Sequence, residues 1–138
     1  MDTERVKQLI GDKDRLVSLF QMDILELKPG YSSVTMTVKD EHLNAAECCH
    51  GGVIFSLADV AFALACNSHG TLAVALEMSI SFLKAVPPGE TITAFCTERY
   101  KGKSTGSYTI EVTDSTQNLV ALLKTTAFRK GTSLFHIS

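Results

Sequence analysis

Gly51-Gly52-Val53-Ile54-Phe55-Ser56-Leu57-Ala58-Asp59-Val60-Ala61-Phe62-Ala63-Leu64-Ala65-Cys66 decides the fold of this chain. Two glycines open it, and only Ser56 and Asp59 are polar beyond them. Apolar residues at every phase of a 3.6-residue period predict a helix over 51–66 that is apolar all round, and such a helix must be wrapped by other structure. Asn67-Ser68-His69-Gly70 ends it, with Gly70 suited to the left-handed terminal position.

From Leu72 the period changes to two. Val74, Leu76, Met78, Ile80 and Phe82 alternate with Ala73, Ala75, Glu77, Ser79 and Ser81, which predicts a strand. Pro87-Pro88-Gly89 breaks it, and further strands follow over 91–100, 107–113 and 119–129, with loops at 101–106 and 114–118. Upstream, 33–39 alternates Val34, Met36 and Val38 against Thr35 and Thr37, after a turn at Lys28-Pro29-Gly30-Tyr31. Val6, Leu9, Ile10, Leu16, Val17 and Phe20 predict an N-terminal helix over 1–20, periodic from residue 3, which Gly11 weakens and can split. The order predicts an α+β protein with one domain, 1–138. An antiparallel sheet, four of its strands in a meander after the helix, curls around one central helix. Leftover sheet edges favour pairing with a second copy.

Composition narrows the function. The 138 residues are 45% hydrophobic with a net charge of −2, which suits one packed core and gives no support to nucleic-acid binding. The four cysteines form no C-x-x-C pair, so a reduced, cytoplasmic protein is expected. The mixed charges of Met1-Asp2-Thr3-Glu4-Arg5 do not read as a signal peptide, and no apolar run reaches the ~18 residues that span a bilayer.

Asp59 is the chemical anomaly. A carboxylate inside an apolar helix costs free energy unless it is paired or used. No Lys or Arg lies between Lys39 and Lys84 to pair with it locally. It is either a structural acid, bonded to backbone or a partner chain, or a catalytic acid perturbed by burial. Gly51 and Gly52 also have two readings. They make a tight turn into the helix, or they leave its N–H groups bare for a carbonyl oxygen to approach as an oxyanion. Eight residues of helix separate Gly51 from Asp59, about 12 Å at ~1.5 Å per residue. Reacting atoms must lie within about 3.5 Å. Two antiparallel copies would unite Gly51 of one with Asp59 of the other, so a dimer with interfacial sites is expected.

Asn44 is suited to a turn or to holding a water or a carbonyl. His50 reads as an orienting or helix-start residue, and His42, His69 and His136 as surface or loop residues. Cys48, Cys49 and Cys66 read as small buried fillers, since a nucleophilic thiol needs an activating base and only His50 is near one. Glu77 is the second candidate for the acid.

Asn44, Cys49-His50-Gly51-Gly52, Phe55-Ser56-Leu57-Ala58-Asp59, Ala61-Phe62-Ala63 and Ala65-Cys66-Asn67-Ser68 together resemble the PaaI-like branch of the hotdog-fold acyl-CoA thioesterases, named for phenylacetate degradation. Weaker similarity covers most of the chain. The resemblance implies hydrolysis of an acyl-CoA thioester, typically aryl-acetyl, with no metal and no cofactor beyond the substrate's own coenzyme A. It implies that Gly51 gives its N–H to the carbonyl and that Asp59 of the opposing subunit is base or nucleophile. Asn44 and His50 would orient water and substrate. Dimers paired into tetramers are implied. Gly52, Phe55 and Ala75 are candidates for the substrate pocket, and Lys84, Lys101 and Lys103 for the coenzyme A phosphates. Two positions depart from the pattern: Ala75 stands where relatives often carry Ser or Thr, and Ser81 where they often carry Asp. Two rival readings are a non-catalytic acyl-CoA-binding hotdog domain and a hotdog hydratase or dehydratase. The latter pairs an acid with a His, which His50 at the helix start suits less well.

Overall fold

The computed structural model describes residues 3–136. Its elements are α1 (Thr3–Lys13), α2 (Arg15–Leu19), β1 (Asp23–Lys28), β2 (Tyr31–Thr37), α3 (Gly51–Asn67), β3 (Thr71–Phe82), β4 (Thr91–Lys101), β5 (Thr105–Thr113) and β6 (Leu119–Ser133). Short 3-10 turns occupy Asp40–His42 and Leu134–His136. The strands form one antiparallel sheet in the order β1-β2-β4-β5-β6-β3, and α3 packs on its inner face. This is the hotdog architecture, α+β, with a long helix against the sheet.

Alternation sets the core. Val34, Met36, Ile92, Ala94, Ile110, Val112 and Leu123 turn inward and are buried against Leu57, Ala61, Phe62, Leu64 and Ala65 of α3. Each large side chain buried there stabilises the fold by roughly 1.5–3 kcal/mol, and the helix alanines let sheet and helix approach. Ser32 Oγ donates to the Ala61 carbonyl at 2.5 Å and ties β2 to the middle of the helix. Asn67 ends α3 by donating to the carbonyls of Ala63 and Ala73 and accepting Ala73 N–H at 2.8 Å. Gly70 follows with φ +85°.

Several expectations change here. The N-terminal helix is two helices, because Asp14 caps α2 with its Oδ1 on Leu16 N–H at 3.1 Å. Positions 1 and 2 of the range expected for it lie outside the described residues. β4, β5 and β6 form a meander, but β3 does not precede them in the sheet. β2 already occupies the free edge of β4, so β3 pairs with β6 at the far edge. β1 has no clean alternation because a bulge between Ile24 and Glu26 puts Leu25 out of phase. A second bulge, between Ala75 and Glu77, inverts the phase of β3. Ala75 opposes buried Ala127 and Met78 opposes buried Thr125, so both face inward, whereas Glu77 opposes Thr126 and faces outward. The apolar file expected from Val74 to Phe82 is therefore split between faces, and Glu77, on the side away from α3, is no alternative to Asp59.

Of the three histidines expected at the surface or in loops, His136 is exposed, His69 is half-buried in the turn after α3, and His42 is held inside. His42 is buried, accepts Lys39 N–H at Nδ1 and meets Phe20 edge-on at 5.3 Å. His69 Nε2 lies 3.0 Å from Glu98, whose carboxylate also takes the Tyr108 hydroxyl at 2.5 Å and pairs with Arg129 at 3.6 Å. Removing the guanidinium would leave the half-buried Glu98 carboxylate without its arginine partner. Arg129→Met is expected to destabilise the fold by about 3 kcal/mol, read from the urea midpoint, with Arg129→Lys recovering part of it.

Candidate active site

The turn before α3 builds the helix start. His50 is the N-cap in extended backbone (φ −61°, ψ 136°), and its Nδ1 accepts Gly52 N–H at 3.0 Å. Its carbonyl accepts Val53 N–H at 2.9 Å and Ile54 N–H at 3.2 Å. That leaves the Gly51 N–H, at the positive end of the helix, with no acceptor among the described residues. The Phe82 ring lies against Gly51, where a Cβ would stand 3.1 Å from its Cζ. A bare α-carbon thus serves packing and exposes the donor at once.

Asn44 combines the two uses considered for it. Its Oδ1 closes the 44–48 loop by accepting Ala46 N–H at 2.9 Å and Cys48 N–H at 3.3 Å. Its Nδ2 donates to nothing among the described residues. Asn44 and Gly51 line one cavity of about 350 Å³ together with Ile54, Phe82 and Lys84. A second hollow, of about 650 Å³ between α1 and β1, contains none of the candidate residues.

Asp59 is half-buried and makes no hydrogen bond or ion pair among the described residues. Burial, and then the charge of Asp14, raise its carboxyl above the usual carboxylate range. It belongs to a stripe in which Gly52 is exposed and Phe55, Ser56, Asp59 and Ala63 are half-buried. This corrects the expectation of a helix enclosed all round: one chain's sheet covers every side of α3 but this one. Within the chain, Asp59 stays about 12 Å along the helix from Gly51. The fold brings Asn44, His50 and Gly51 together and leaves Asp59 apart.

The remaining candidates sort by position. Phe55 and Gly52 share the open stripe, and Ala75 faces inward yet is exposed beside it. Lys84 reaches the cavity, but its ammonium is held by Asp114 at 2.6 Å, and that contact keeps the Asp114 carboxyl well below the usual range. Lys101 ends β4 and Lys103 follows it in the loop, roughly 30 Å from the strand's start at ~3.3 Å per residue, and neither lines the cavity at Gly51. Burial pushes the Cys49 thiol up to about 11, which leaves it protonated at neutral pH and no nucleophile. Among the described residues no three His, Cys, Asp or Glu side chains converge as a metal site, and no helix is long and apolar enough to cross a membrane.

The sequence matches the thioesterase superfamily model over residues 47–121. It is 52% identical over 126 residues to a putative esterase of Archaeoglobus fulgidus, covering 91% of this chain and 82% of that one. It is 43% identical over 120 residues to the acyl-coenzyme A thioesterase PaaI of Escherichia coli, covering 87% and 86%. The structure of E. coli PaaI, from the phenylacetic acid degradation operon, superposes with a TM-score of 0.93 at 40% identity over 95% of each chain. A hypothetical thioesterase protein from Streptococcus pneumoniae solved with coenzyme A superposes with a TM-score of 0.84 at 27% identity, over 90% of this chain and 98% of that one. Variants of that protein, with an aspartate and a threonine sixteen positions apart each changed to alanine, have also been solved. This chain belongs to the thioesterase superfamily, as a PaaI-like hotdog acyl-CoA thioesterase.

Proposed function

We propose that the chain hydrolyses aryl-acetyl coenzyme A thioesters, such as phenylacetyl-CoA, at two sites shared across a homodimer. The observation that carries this is the pairing of an unused donor with an unused acid: the Gly51 N–H and the Asp59 carboxylate both lack partners, both border open surface, and lie too far apart in one chain to meet at one carbonyl. The thioester oxygen accepts from Gly51 N–H, where the helix dipole stabilises the developing oxyanion. The partner's Asp59 either takes a proton from a water that attacks the carbonyl carbon, or attacks it directly to form a mixed anhydride that water then hydrolyses to release the acid and restore the carboxylate. On either path the C–S bond breaks and coenzyme A leaves as thiolate. His50 holds the helix start in shape, and the free Nδ2 of Asn44 holds the water or the carbonyl.

Relatives support this reading. E. coli PaaI is an acyl-coenzyme A thioesterase from a phenylacetic acid operon. The altered aspartate and threonine of the pneumococcal protein have the spacing of Asp59 and Ala75. On that spacing this chain lacks a hydroxyl on β3, which leaves Asn44 to place the water. The exposed, apolar β3 edge, with Leu76 61% and Phe82 53% exposed, is the surface a second copy would cover. We place the protein in the cytoplasm, without metal or added cofactor, and as a dimer of dimers.

Thiol release from phenylacetyl-, acetyl- and medium-chain acyl-CoA tests the activity. The highest kcat/KM is expected for phenylacetyl-CoA. Binding without release would favour the acyl-CoA-binding domain, and a change in enoyl absorbance without release would favour a hydratase.

A further inference from the structure

We infer that Asp14 is a positioning residue that acts through Asp59: its charge, fixed at the start of α2 beside the open stripe of α3, sets the pH range over which the enzyme works. The inference rests on the thioesterase reading above and deepens it. Three hydrogen bonds hold Asp14 in place. Its N–H donates to the Ile10 carbonyl at 2.8 Å, its carbonyl accepts Val17 N–H at 3.2 Å, and its Oδ1 accepts Leu16 N–H at 3.1 Å. Asp14 is half-buried, and with Ala63 it walls a hollow between α1 and α3. Ala63 follows Asp59 by four residues, one turn further along the same open stripe. The cap of α2 thus stands beside the face of α3 that carries the acid. Its Oδ2 accepts no hydrogen bond among the described residues. Lys13 and Arg15 flank it, but both are exposed, and neither pairs with Asp14 or Asp59 among the described residues.

The other ionisable groups around α3 lie elsewhere. Glu4, Arg5, Lys7 and Asp12 of α1 line the hollow toward β1. The strands β1, β2 and β3 turn no charged side chain inward. The groups that β4, β5 and β6 turn inward, Cys96, Glu98, Tyr108 and Arg129, gather about Cys66 near the far end of α3. Cys66 itself, seven residues beyond Asp59, is uncharged at neutral pH because burial pushes its thiol up to about 12. His50 caps the other end of the helix.

Two like charges on one half-buried face repel more strongly than in water, and this repulsion adds to burial in raising the Asp59 carboxyl. The consequence for rate has two parts. A carboxylate that holds protons more tightly is the stronger base or nucleophile, and it is also lost to protonation at a higher pH. Removing the Asp14 charge therefore weakens Asp59 and widens its working range together.

Asp14→Asn tests the inference, because asparagine caps a helix about as well as aspartate and carries no charge. The acid limb of kcat/KM for a hydrolysed thioester is expected at lower pH than in the wild type. The variant is then faster than the wild type on the acid side and slower on the plateau, so the two profiles cross. Asp14→Ala, which removes cap and charge, is expected to share that limb and to melt at a lower temperature. Asp14→Ser, a neutral cap, reads the same if Asp14→Asn does not fold. A limb that stays at the wild-type pH in a folded Asp14→Asn or Asp14→Ser would overturn the inference and leave Asp14 a cap alone. If the wild type releases thiol from no thioester, the thioesterase reading fails by itself, and carbon-13 spectra of the aspartate carboxyls then read the coupling. An Asp59 midpoint that falls in Asp14→Asn would support the action of Asp14 on Asp59. An unmoved midpoint would overturn it.

Discussion

Asp59→Asn is expected to lower kcat by about a thousandfold, within the range for removal of a general base, while the folded protein becomes no less stable at neutral pH. The two effects come from one fact: the carboxylate is half-buried, has no partner within its chain, and is kept above the usual carboxylate range by burial first and Asp14 second. An acid whose folded pKa exceeds its unfolded value binds protons more readily in the folded state. Stability therefore falls as pH rises from the unfolded value, near ~3.9, through the folded one, and the whole penalty is present above it. Asparagine keeps the shape and removes the penalty. The variant should melt at or above the wild-type temperature at pH 7, with the gap closing as pH falls toward 4. A structural acid anchored to a partner chain predicts the reverse: a less stable variant and a dissociated dimer. Thermal melts across pH, beside turnover of phenylacetyl-CoA, separate the two.

How much of this was legible in sequence depends on whether the information is local. The central helix, its glycine entry and the strands β4 to β6 follow from periodicity and turn residues, which act over a few positions. The two bulges do not. A single residue, Leu25 or Leu76, slips out of register only because of what the neighbouring strand pairs with. That slip hid β1, and strict alternation across it put Ala75 on the face of Glu77 instead of the face of Met78. The burial of His42 was not legible because its partner, Phe20, is remote in sequence. At the site, spacing along the helix was enough to place Gly51 and Asp59 apart, while the grouping of Asn44 and His50 with Gly51 came from the resemblance to PaaI-like thioesterases. Neither could show that the Asn44 oxygen is spent on its own loop, or that Lys84 is held by Asp114, since each depends on where a side chain ends.

Replacing Gly51 tests the donor and the sharing of sites together. Gly51 is the first residue of the helix, where proline is tolerated, and His50 before it already has the extended backbone that a residue preceding proline adopts. Gly51→Pro deletes the N–H and keeps the helix; it is expected to lower kcat about a hundredfold or more. Gly51→Ala keeps the N–H but adds bulk against the Phe82 ring, as the proline also does. The ratio of the two variants thus isolates the donor from the bulk. Mixing then decides where the acid comes from. When Gly51→Pro and Asp59→Asn chains are unfolded and refolded together, half of the dimers are mixed. If Gly51 and Asp59 act across the interface, each mixed dimer joins an intact Gly51 from one chain to an intact Asp59 from the other at one of its two sites. Activity returns to about a quarter of wild type, though neither variant is active alone. If both groups act within one chain, every chain carries a defect and mixing restores nothing. The 12 Å of helix between them is what makes the first outcome the expected one.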